Sequence, residues 1–321
     1  MRWNGKQAAV VVVAMVLTVA LAPAQSKKTA SNASAAKSAA TQAKAPAKPA
    51  PQSKVDPLPL AASTNDWDQV KALVASGAKL EAKGADGSTA LVYASRAGRV
   101  EIVKLLLSRG ADPQAANTLG RTALLEAVAN DYADVATALL AQQANVNAKD
   151  KNSVTPLMEA ARRANQETAR LLLAHQADLT AKDKDGNTPL LYAAGSGDLN
   201  VLQTLITKGA DVKTTNNEGN TPLMQVAHDG LLPLTQILLS HGSEVNTAAK
   251  DGSTALMKAA ERGNAEVVQL LLKKNADPLL KNKAGKTALD LAAAAHQTNA
   301  CDLLLKAELK PLPTAPQPAK P

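Results

Sequence analysis

Two tripeptides of the chain have the residue types of phosphate-binding or catalytic loops. Residues 285–287 read Gly-Lys-Thr, the end of a loop that cradles nucleotide phosphates. Residues 195–197 read Gly-Ser-Gly, which exposes a nucleophilic serine when it follows a strand. The phosphate loop needs a glycine five residues earlier, where this chain has Leu280, and no strand is predicted before the serine. We therefore interpret both segments as turns.

A third segment carries the oxygen ligands of a calcium loop. Asp183, Asp185 and Asn187 alternate along the chain as calcium ligands do. A calcium loop has glycine at its sixth position and glutamate at its twelfth. Here Gly186 is the fourth residue and Ala194 the twelfth, so we predict a turn without a bound cation.

The four histidines are spaced too widely to share a metal. His175 and His241 are 66 residues apart, which is two units of the repeat described below, or about 20 Å at roughly 10 Å per helix layer. His228 and His296 are also about two units apart. Zinc ligands lie about 2 Å from the metal. With no metal set, no catalytic triad and no cofactor motif, we expect a protein that is not an enzyme and has no cofactor.

The composition is unusual for an enzyme of 321 residues. The chain contains no Phe, two Trp and three Tyr, so its core must consist of Ala, Leu and Val in many small contacts. The single cysteine, Cys301, excludes an intramolecular disulfide and a cysteine-based zinc site. We predict that it is a small buried residue of the last helix.

The formal net charge of +8 belongs to the ends of the chain. Residues 58–309 carry 26 basic and 27 acidic side chains and are nearly neutral. A basic protein that seeks polyanions would concentrate its Lys and Arg in the folded part. We therefore expect no nucleic-acid binding.

The elements that position these residues follow a strict repeat. A Thr-x-Leu triplet recurs seven times at intervals of 33 residues without an insertion. Its threonines are Thr89, Thr122, Thr155, Thr188, Thr221, Thr254 and Thr287. One interval earlier stands Asp56-Pro57-Leu58, a degenerate first copy. We number the eight units repeats 1 to 8. A fixed period of this length is typical of a solenoid.

Each unit has the signals of two helices and a turn. The threonine is a good helix N-cap and is followed in three repeats by proline at the first helical position. A glycine nine residues after most of the threonines separates this helix from a second, leucine-rich one. A further glycine ends the second helix, and an Asp-Gly or Glu-Gly pair predicts a hairpin turn before the next threonine.

This pattern resembles the ankyrin repeat, and the resemblance covers residues 56–309. It implies an all-α solenoid of about eight helix-turn-helix units joined by short β-hairpin turns. It also implies a monomeric module that binds another protein on its hairpin tips and on the concave face of its first helices. The first and eighth repeats are predicted to be caps with a polar outer face.

The chain departs from the family at several positions. The family's histidine, three residues after the threonine, is absent from all seven repeats, so we expect less tightly held loops. Gln143, Gln176 and Asn275 replace the glycine that ends the second helix. Ser153 replaces a turn glycine and Ala164 the glycine between helices. Left-handed geometry at such residues costs about 1 kcal/mol each, so repeats 3 and 4 are predicted to be the softest.

The partner-binding positions implied by the resemblance vary most between repeats. Tyrosine and arginine, which are enriched in binding hot spots, line up along repeats 2 to 5. The candidate contacts are Tyr93, Arg96, Leu119, Glu126, Glu159, Arg162, Arg163, Tyr192, His228, Lys258, Glu261 and Arg262. The alternative is that these residues stabilise the array: Glu159 and Arg162 are three apart on one helix and suited to an ion pair.

The ends of the chain carry signals of export. Residues 1–24 combine Arg2 and Lys6 with an apolar run and the small-residue sequence Ala22-Pro23-Ala24, so we predict a cleaved signal peptide, with a retained anchor as the alternative. Residues 25–55 are an Ala, Lys and Pro linker and residues 310–321 a Pro-rich tail, both predicted to be disordered. We expect a periplasmic or extracellular protein without stable membrane insertion.

Two functions remain open at this point. The first is a non-enzymatic scaffold that binds a protein through the repeat array. The second is a cell-envelope spacer, in which the six lysines of residues 25–55 hold the array to anionic polymer or lipid.

Overall fold

The computed structural model describes residues 56–308, and this part of the chain folds into sixteen helices without a β-strand. The predicted all-α repeat solenoid is therefore confirmed. None of the sixteen helices is long and apolar enough to cross a bilayer. The predicted signal peptide (1–24), linker (25–55) and Pro-rich tail (310–321) lie outside the described residues.

The helices form eight consecutive pairs. The first helices of repeats 1 to 8 are α1 (Pro57–Ser63), α3 (Ala90–Arg96), α5 (Ala123–Ala129), α7 (Pro156–Arg162), α9 (Pro189–Ser196), α11 (Pro222–His228), α13 (Ala255–Arg262) and α15 (Ala288–Ala294). The second helices are α2 (Trp67–Ala75), α4 (Val100–Ser108), α6 (Ala133–Ala141), α8 (Gln166–Ala174), α10 (Leu199–Thr207), α12 (Leu232–Ser240), α14 (Ala265–Lys273) and α16 (Thr298–Glu308).

The repeated threonine begins each first helix from repeat 2 to repeat 8. Its hydroxyl oxygen accepts a hydrogen bond from the backbone N–H three residues later, at 3.2 to 3.4 Å. Pro156, Pro189 and Pro222 occupy the first helical position, where the missing N–H has no partner to lose. At Thr287 the cap is reciprocal, because Asp290 accepts from the threonine N–H at 2.8 Å. The predicted threonine N-caps of the first helices are confirmed.

The core is a row of leucines that recurs with the repeat. Leucine two residues after the threonine is buried in repeats 2 to 7, and leucine seventeen residues after it is fully buried in repeats 2 to 8. This second row consists of Leu106, Leu139, Leu172, Leu205, Leu238, Leu271 and Leu304. Paired alanines on the first helices, such as Ala160 and Ala161, let neighbouring helices approach closely. Each repeat therefore buries its apolar side chains against the repeats beside it.

The substitutions for glycine occupy left-handed backbone positions. Gln143, Ser153, Ala164, Gln176 and Asn275 have φ between 58° and 65°. This confirms that the repeat imposes the glycine geometry even where a side chain is present. The strain is concentrated in repeats 3 and 4 and in the turn between them.

The predicted hairpins are turns that stack on one another. Within residues 56–308 their only β-type pairing is an isolated bridge between Ala116 and Thr122. The backbone N–H at each tip instead donates to a carbonyl of the preceding tip, as Thr118 does to Asp86 at 3.0 Å. The same bond recurs at Lys151, Lys184, Asn217, Lys250 and Lys283, at 2.8 to 3.0 Å. The tips consequently form one hydrogen-bonded ladder along the array.

Side chains of the tips replace the missing family histidine. Five residues before the threonine, an Asp or Asn oxygen accepts two backbone N–H groups of its own turn, at 2.7 to 3.0 Å. These residues are Asn117, Asp150, Asp183, Asn216 and Asn282. Where that position is Gly84 or Ala249, Asp86 or Asp251 instead accepts from the following serine. The turns are therefore fixed locally, and the expectation that the loops are held less tightly than in the family stays a prediction.

Candidate protein-binding face

The first helices and the tips form the face on which the candidate contacts lie, and we call it the inner face. Exposure divides these residues into three groups. Leu119, Arg162, Arg163, Glu261 and Arg262 are exposed. Tyr93, Arg96, Tyr192, His228 and Lys258 are half-buried. Glu126 and Glu159 are buried, with 6% and 4% of their surfaces exposed.

In repeat 2 the tyrosine and arginine converge on one tip carboxylate. Tyr93 donates from its hydroxyl to Asp86 at 2.6 Å, and Arg96 donates to the other carboxylate oxygen at 3.2 Å. The Arg96 guanidinium also lies 5.6 Å from the centre of the Tyr93 ring. Partial desolvation raises the pKa of Asp86, but hydrogen bonds from Tyr93, Ser88 and Arg96 outweigh it and lower the pKa to about 2. Asp86 therefore holds both side chains against the tip.

The same pair shows how burial and charge act on the tyrosine and arginine. Desolvation, together with the hydrogen bond to Asp86 and its negative charge, raises the pKa of Tyr93 to about 12. Desolvation lowers the pKa of Arg96, but hydrogen bonds and charge attraction from Glu126 and Asp86 outweigh it, so the pKa is raised. Both side chains keep their ordinary charge state at neutral pH.

A network of ion pairs continues from repeat 2 to repeat 4. Arg96 donates to Glu126 at 3.0 Å, and Arg121 donates to the same oxygen at 3.2 Å. Arg121 also reaches Glu159 at 3.2 Å, and Glu159 in turn accepts from Arg162. Glu159 and Arg162 thus form the ion pair that was given above as the alternative to a role in partner binding. The structure brings Tyr93, Arg96, Glu126, Glu159 and Arg162 together, as parts of one network.

Arg121, the centre of this network, is a residue that the sequence analysis missed. Its guanidinium also contacts Asp150 at 3.6 Å and the carbonyl of Leu125 at 3.3 Å. It lies one residue before a repeated threonine, where other repeats have Ser, Val, Asn or Lys. The sequence did contain a signal for it, because Arg121 is the one arginine at this position of the repeat.

Repeat 5 has a similar tyrosine contact but fewer charges. Tyr192 donates to the buried carboxylate of Asp183 at 2.7 Å, and Asn187 donates to the same oxygen at 3.2 Å. Desolvation and the charges of Asp183 and Glu159 raise the pKa of Tyr192. Asn216 connects the next tip by donating to Asn187 at 3.1 Å. Tyr192 is thus held by a tip carboxylate, as Tyr93 is. The amide of Asn187 takes the place at that carboxylate that Arg96 has in repeat 2.

Repeats 6 and 7 are joined through a histidine. Arg262 donates from Nε to Nε2 of His228 at 2.9 Å, and Nδ1 of His228 lies 2.7 Å from Asp229. Because a guanidinium can only donate, Nε2 is the acceptor and Nδ1 carries the proton that is donated to Asp229. Lys258 lies 3.6 Å from Asp251. Of the candidate contacts in these repeats, Glu261 makes no side-chain hydrogen bond within residues 56–308.

Leu119 stands apart from these polar contacts. It lies at the tip before repeat 3 and is 60% exposed. Its backbone is fixed, because its N–H donates to Asn117 and its carbonyl accepts from Lys151. It presents an isolated apolar side chain at a rigid position.

The segments that resemble chemical motifs are parts of turns and caps. Thr287 caps α15, and the Lys286 N–H donates to Asn282 at 3.0 Å. Asp183 uses its oxygens on its own turn and on Tyr192, and Ser196 donates to the carbonyl of Ala193 at 2.9 Å. Among residues 56–308, no three His, Cys, Asp or Glu side chains are grouped to hold a metal ion. Cys301 is partly exposed instead of fully buried as predicted, because it lies on the last helix.

Comparison with protein families agrees with the geometry of the array. A model described as ankyrin repeats in three copies matches residues 58–150, 144–216, 196–282 and 223–313. No curated protein matches the sequence. Ankyrin repeats are generally modules for protein–protein interaction and are typically non-enzymatic. The matched ranges together cover most of the chain, which therefore belongs to the ankyrin repeat family.

Proposed function

We propose that the chain is a non-enzymatic scaffold that binds a partner protein through the inner face and the tips of its repeats. The observation that carries this proposal is a contrast within the repeat. The leucine core positions hold the same residue in repeat after repeat, whereas the inner-face position four residues after the threonine holds Tyr, Glu, Gln, Lys or Leu. A rigid frame with variable side chains is how a solenoid creates a specific binding surface.

The exposed candidate residues make the direct contacts with the partner protein. Arg162 and Arg163 are exposed, and Arg163 makes no ion pair within residues 56–308. Glu126 and Glu159 are buried, so their part is to position Arg96 and Arg162. Holding an arginine in place before binding reduces the side-chain entropy that is lost when the complex forms.

The test is crosslinking and pull-down from the native host with Arg162→Glu/Arg163→Glu. We expect the partner identified with the wild-type chain to be lost. The matched control is Arg170→Glu/Lys208→Glu, which reverses the same number of charges on exposed side chains of α8 and of the cap of α10. Capture that survives the inner-face variant, or that is lost equally in the control, contradicts the proposed face.

The proposal includes export and a monomeric state. Residues 1–24 have the build of a secretory signal, and residues 25–55 have the composition of a flexible spacer. N-terminal sequencing of the protein from its host should begin at Gln25, and light scattering should give the mass of one chain. Retention of Met1 in the envelope fraction would show an anchor in place of a cleaved signal.

The envelope spacer remains a second candidate because of one observation. All charged residues between 25 and 55 are lysines, six in number. Deleting these residues separates the two functions. If partner capture persists and envelope association is unchanged, the spacer is excluded. If envelope association is lost and no partner is captured by either form, the spacer is favoured over the scaffold.

Nucleic acid is a partner that the folded array does not favour. Residues 58–309 are nearly neutral, and their inner-face arginines in repeats 2 to 4 are largely paired. Counterion release requires free Lys and Arg side chains that neutralise phosphates. Binding of duplex DNA should therefore be undetectable at moderate salt, and tight binding with a steep salt dependence would contradict this expectation.

A further inference from the structure

Repeat 2 contains an arginine site whose surroundings recur in repeat 5. Arg96 lies seven residues after its repeated threonine, and its guanidinium group lies 5.6 Å from the centre of the Tyr93 ring. It donates to Asp86 at 3.2 Å, to Ser88 at 3.4 Å and to Glu126 of the next repeat at 3.0 Å. The site therefore consists of one aromatic ring and three hydrogen-bond acceptors around a guanidinium group.

At the equivalent positions of repeat 5, each part of this site is present except the arginine. Tyr192 provides the ring, and a side-chain oxygen occurs at each of the three acceptor positions. These acceptors are Asp185, Asn187 and Gln225. Gly195 stands where repeat 2 has Arg96. A Cβ at Gly195 would meet no atom within 4 Å, so the place of the arginine side chain is open.

A cleft of about 280 Å³ opens beside Gly195, which is itself exposed. The tyrosine ring and the two amide acceptors of the repeat 5 site contribute to its walls. The single charged side chain in the lining is Arg162, and this residue is paired with the buried carboxylate of Glu159. The cleft is thus accessible from the inner face and mainly polar.

The two amide oxygens in the cleft have unused hydrogen-bonding capacity. Gln225 donates from Nε2 to Asp229 at 2.8 Å, and its Oε1 accepts no bond within residues 56–308. Oδ1 of Asn187 accepts one bond, from Asn216 at 3.1 Å, and has a second lone pair. A guanidinium group has five N–H donors and no acceptor, so it is suited to these oxygens.

Two carboxylates of the repeat 5 tip have no ion pair within residues 56–308. Asp183 is buried and accepts hydrogen bonds from Tyr192 and Asn187, at 2.7 and 3.2 Å. Asp185 is exposed. In the same range the two lysines of this tip pair with neither carboxylate, and neither lysine lines the cleft. The inner-face carboxylates of repeats 2 to 4, in contrast, each contact an arginine.

Resting on the proposed function, we propose that this cleft receives an arginine side chain of the partner protein, held as Arg96 is held in repeat 2. The guanidinium group stacks on the Tyr192 ring and donates to Asn187 and Gln225. Asp185 supplies the carboxylate at the tip. Lysine fits less well, because its ammonium group is a compact point charge that lacks the planar fork of arginine.

The first test is a titration of the full-length protein with N-acetyl-arginine-N-methylamide, followed by NMR of the tyrosine rings. The chain has three tyrosines, and each signal is assigned with its Tyr→Phe variant. We expect the Tyr192 signals to shift to saturation, while those of Tyr93, whose site Arg96 already fills, stay unchanged. The matched citrulline compound has a similar shape without the charge and should bind about tenfold more weakly.

Gly195→Arg supplies the arginine from the chain itself and should abolish the response of Tyr192. Gly195 has ordinary helical geometry within α9, so Gly195→Ala is the matched control and should bind the arginine compound within about twofold of wild type. The inference is overturned if the Tyr192 signals of the wild type do not shift. Equal affinity for the citrulline compound, or an unchanged response in Gly195→Arg, also overturns it.

The same two variants connect this site to the partner captured in the host. Capture should fall about fivefold with Gly195→Arg and stay unchanged with Gly195→Ala. If capture depends on Arg162 and Arg163 but is the same in both Gly195 variants, the proposed function stands and the arginine contact is rejected.

Discussion

Arg121 and Glu159 belong to different repeats, yet Nη1 of Arg121 lies 3.2 Å from Oε1 of Glu159. The arginine stands in the turn before α5 and the glutamate on α7, one repeat further along. Through Nε the same guanidinium contacts Glu126 at 3.2 Å. One partly buried cation therefore bridges two buried carboxylates and couples repeat 3 to repeat 4.

Arg121→Met should lower the free energy of unfolding of the array by more than a substitution near the surface usually does. Methionine keeps much of the side-chain volume but leaves Glu126 and Glu159 with one fewer cation each. Breaking a buried ion pair by removing one partner costs about 3 kcal/mol. Urea denaturation followed by circular dichroism should show a lower midpoint.

Two further variants give this experiment its control. Arg170→Met makes the same replacement on the exposed surface of α8 and should change the free energy of unfolding by less than about 0.5 kcal/mol. Arg121→Met/Glu126→Gln removes one stranded charge and should recover part of the loss. Equal midpoints for Arg121→Met and Arg170→Met would show that the network adds no stability.

The fold was predictable because its determinants recur in the sequence at a fixed interval. Thr89 and its equivalents cap helices through bonds to a residue three positions away, and Leu106 and its equivalents fill the same core site in repeats 2 to 8. Even Ala164 at φ 58° followed from its register with the glycines. Such local and periodic signals need no knowledge of three-dimensional neighbours.

The candidate site was predictable only in part, because its contacts join different repeats. Sequence register placed Glu126 on the inner face, but its burial depends on Arg96 and Arg121 approaching from either side. The contact between Arg262 and His228 likewise spans 34 residues. Which side chains pair across repeats depends on rotamers and on stacking geometry, and the repeat period of the sequence determines neither.

The stability of repeat 2 should depend on pH through Asp86. The pKa of this carboxyl is lowered from 3.8 to about 2 in the folded chain, so the folded state favours the ionised form. Its contribution to stability is complete above about pH 4 and is lost as the pH falls toward 2. In urea denaturation the difference between wild type and Asp86→Asn should therefore be constant above pH 5 and shrink between pH 4 and pH 2.

Two variants distinguish this effect from general acid unfolding. Tyr93→Phe removes a hydrogen bond to Asp86 and should move the loss to higher pH. Asp68→Asn makes the same replacement at a carboxylate whose side chain is 96% exposed and is the matched control. A difference between wild type and Asp86→Asn that does not change between pH 5 and pH 2 would contradict the assigned hydrogen bonds.

A methyl group should be tolerated at Gly110 but not at Gly98. Both residues have positive φ, 86° and 68°, so alanine costs about 1 kcal/mol of backbone strain at either position. A Cβ at Gly110 would meet no atom within 4 Å, whereas at Gly98 it would lie 2.6 Å from the Tyr132 ring. We expect Gly98→Ala to cost about 2 kcal/mol more than Gly110→Ala in urea denaturation.

The Tyr132 ring is the reason for that difference, and it can be removed. Adding Tyr132→Ala to Gly98→Ala should bring the cost of the alanine close to that of Gly110→Ala, measured against Tyr132→Ala alone. If the two glycine variants are equally stable, or if the cost at Gly98 persists without the ring, the close approach is not what selects glycine there.

Local stability should be lowest where residues other than glycine occupy left-handed positions in succession. Asp131, Gln143, Ser153, Ala164 and Gln176 all have positive φ, and they fall within repeats 3 and 4. In an array stabilised by nearest-neighbour stacking, strain of about 1 kcal/mol at each lowers the free energy of opening there first. Backbone hydrogen exchange measured by mass spectrometry should be fastest in these repeats and at the two ends.

Replacing the strained residues should reverse this order. Gln143→Gly/Ser153→Gly/Ala164→Gly/Gln176→Gly keeps the backbone geometry and relieves the strain, so exchange in repeats 3 and 4 should slow to the level of repeats 5 and 6. A matched control places four glycines at ordinary positions of the exposed helix surfaces and should speed exchange, because glycine weakens a helix interior. Uniform protection across the wild-type array would show instead that the buried network around Arg121 compensates fully for the strain.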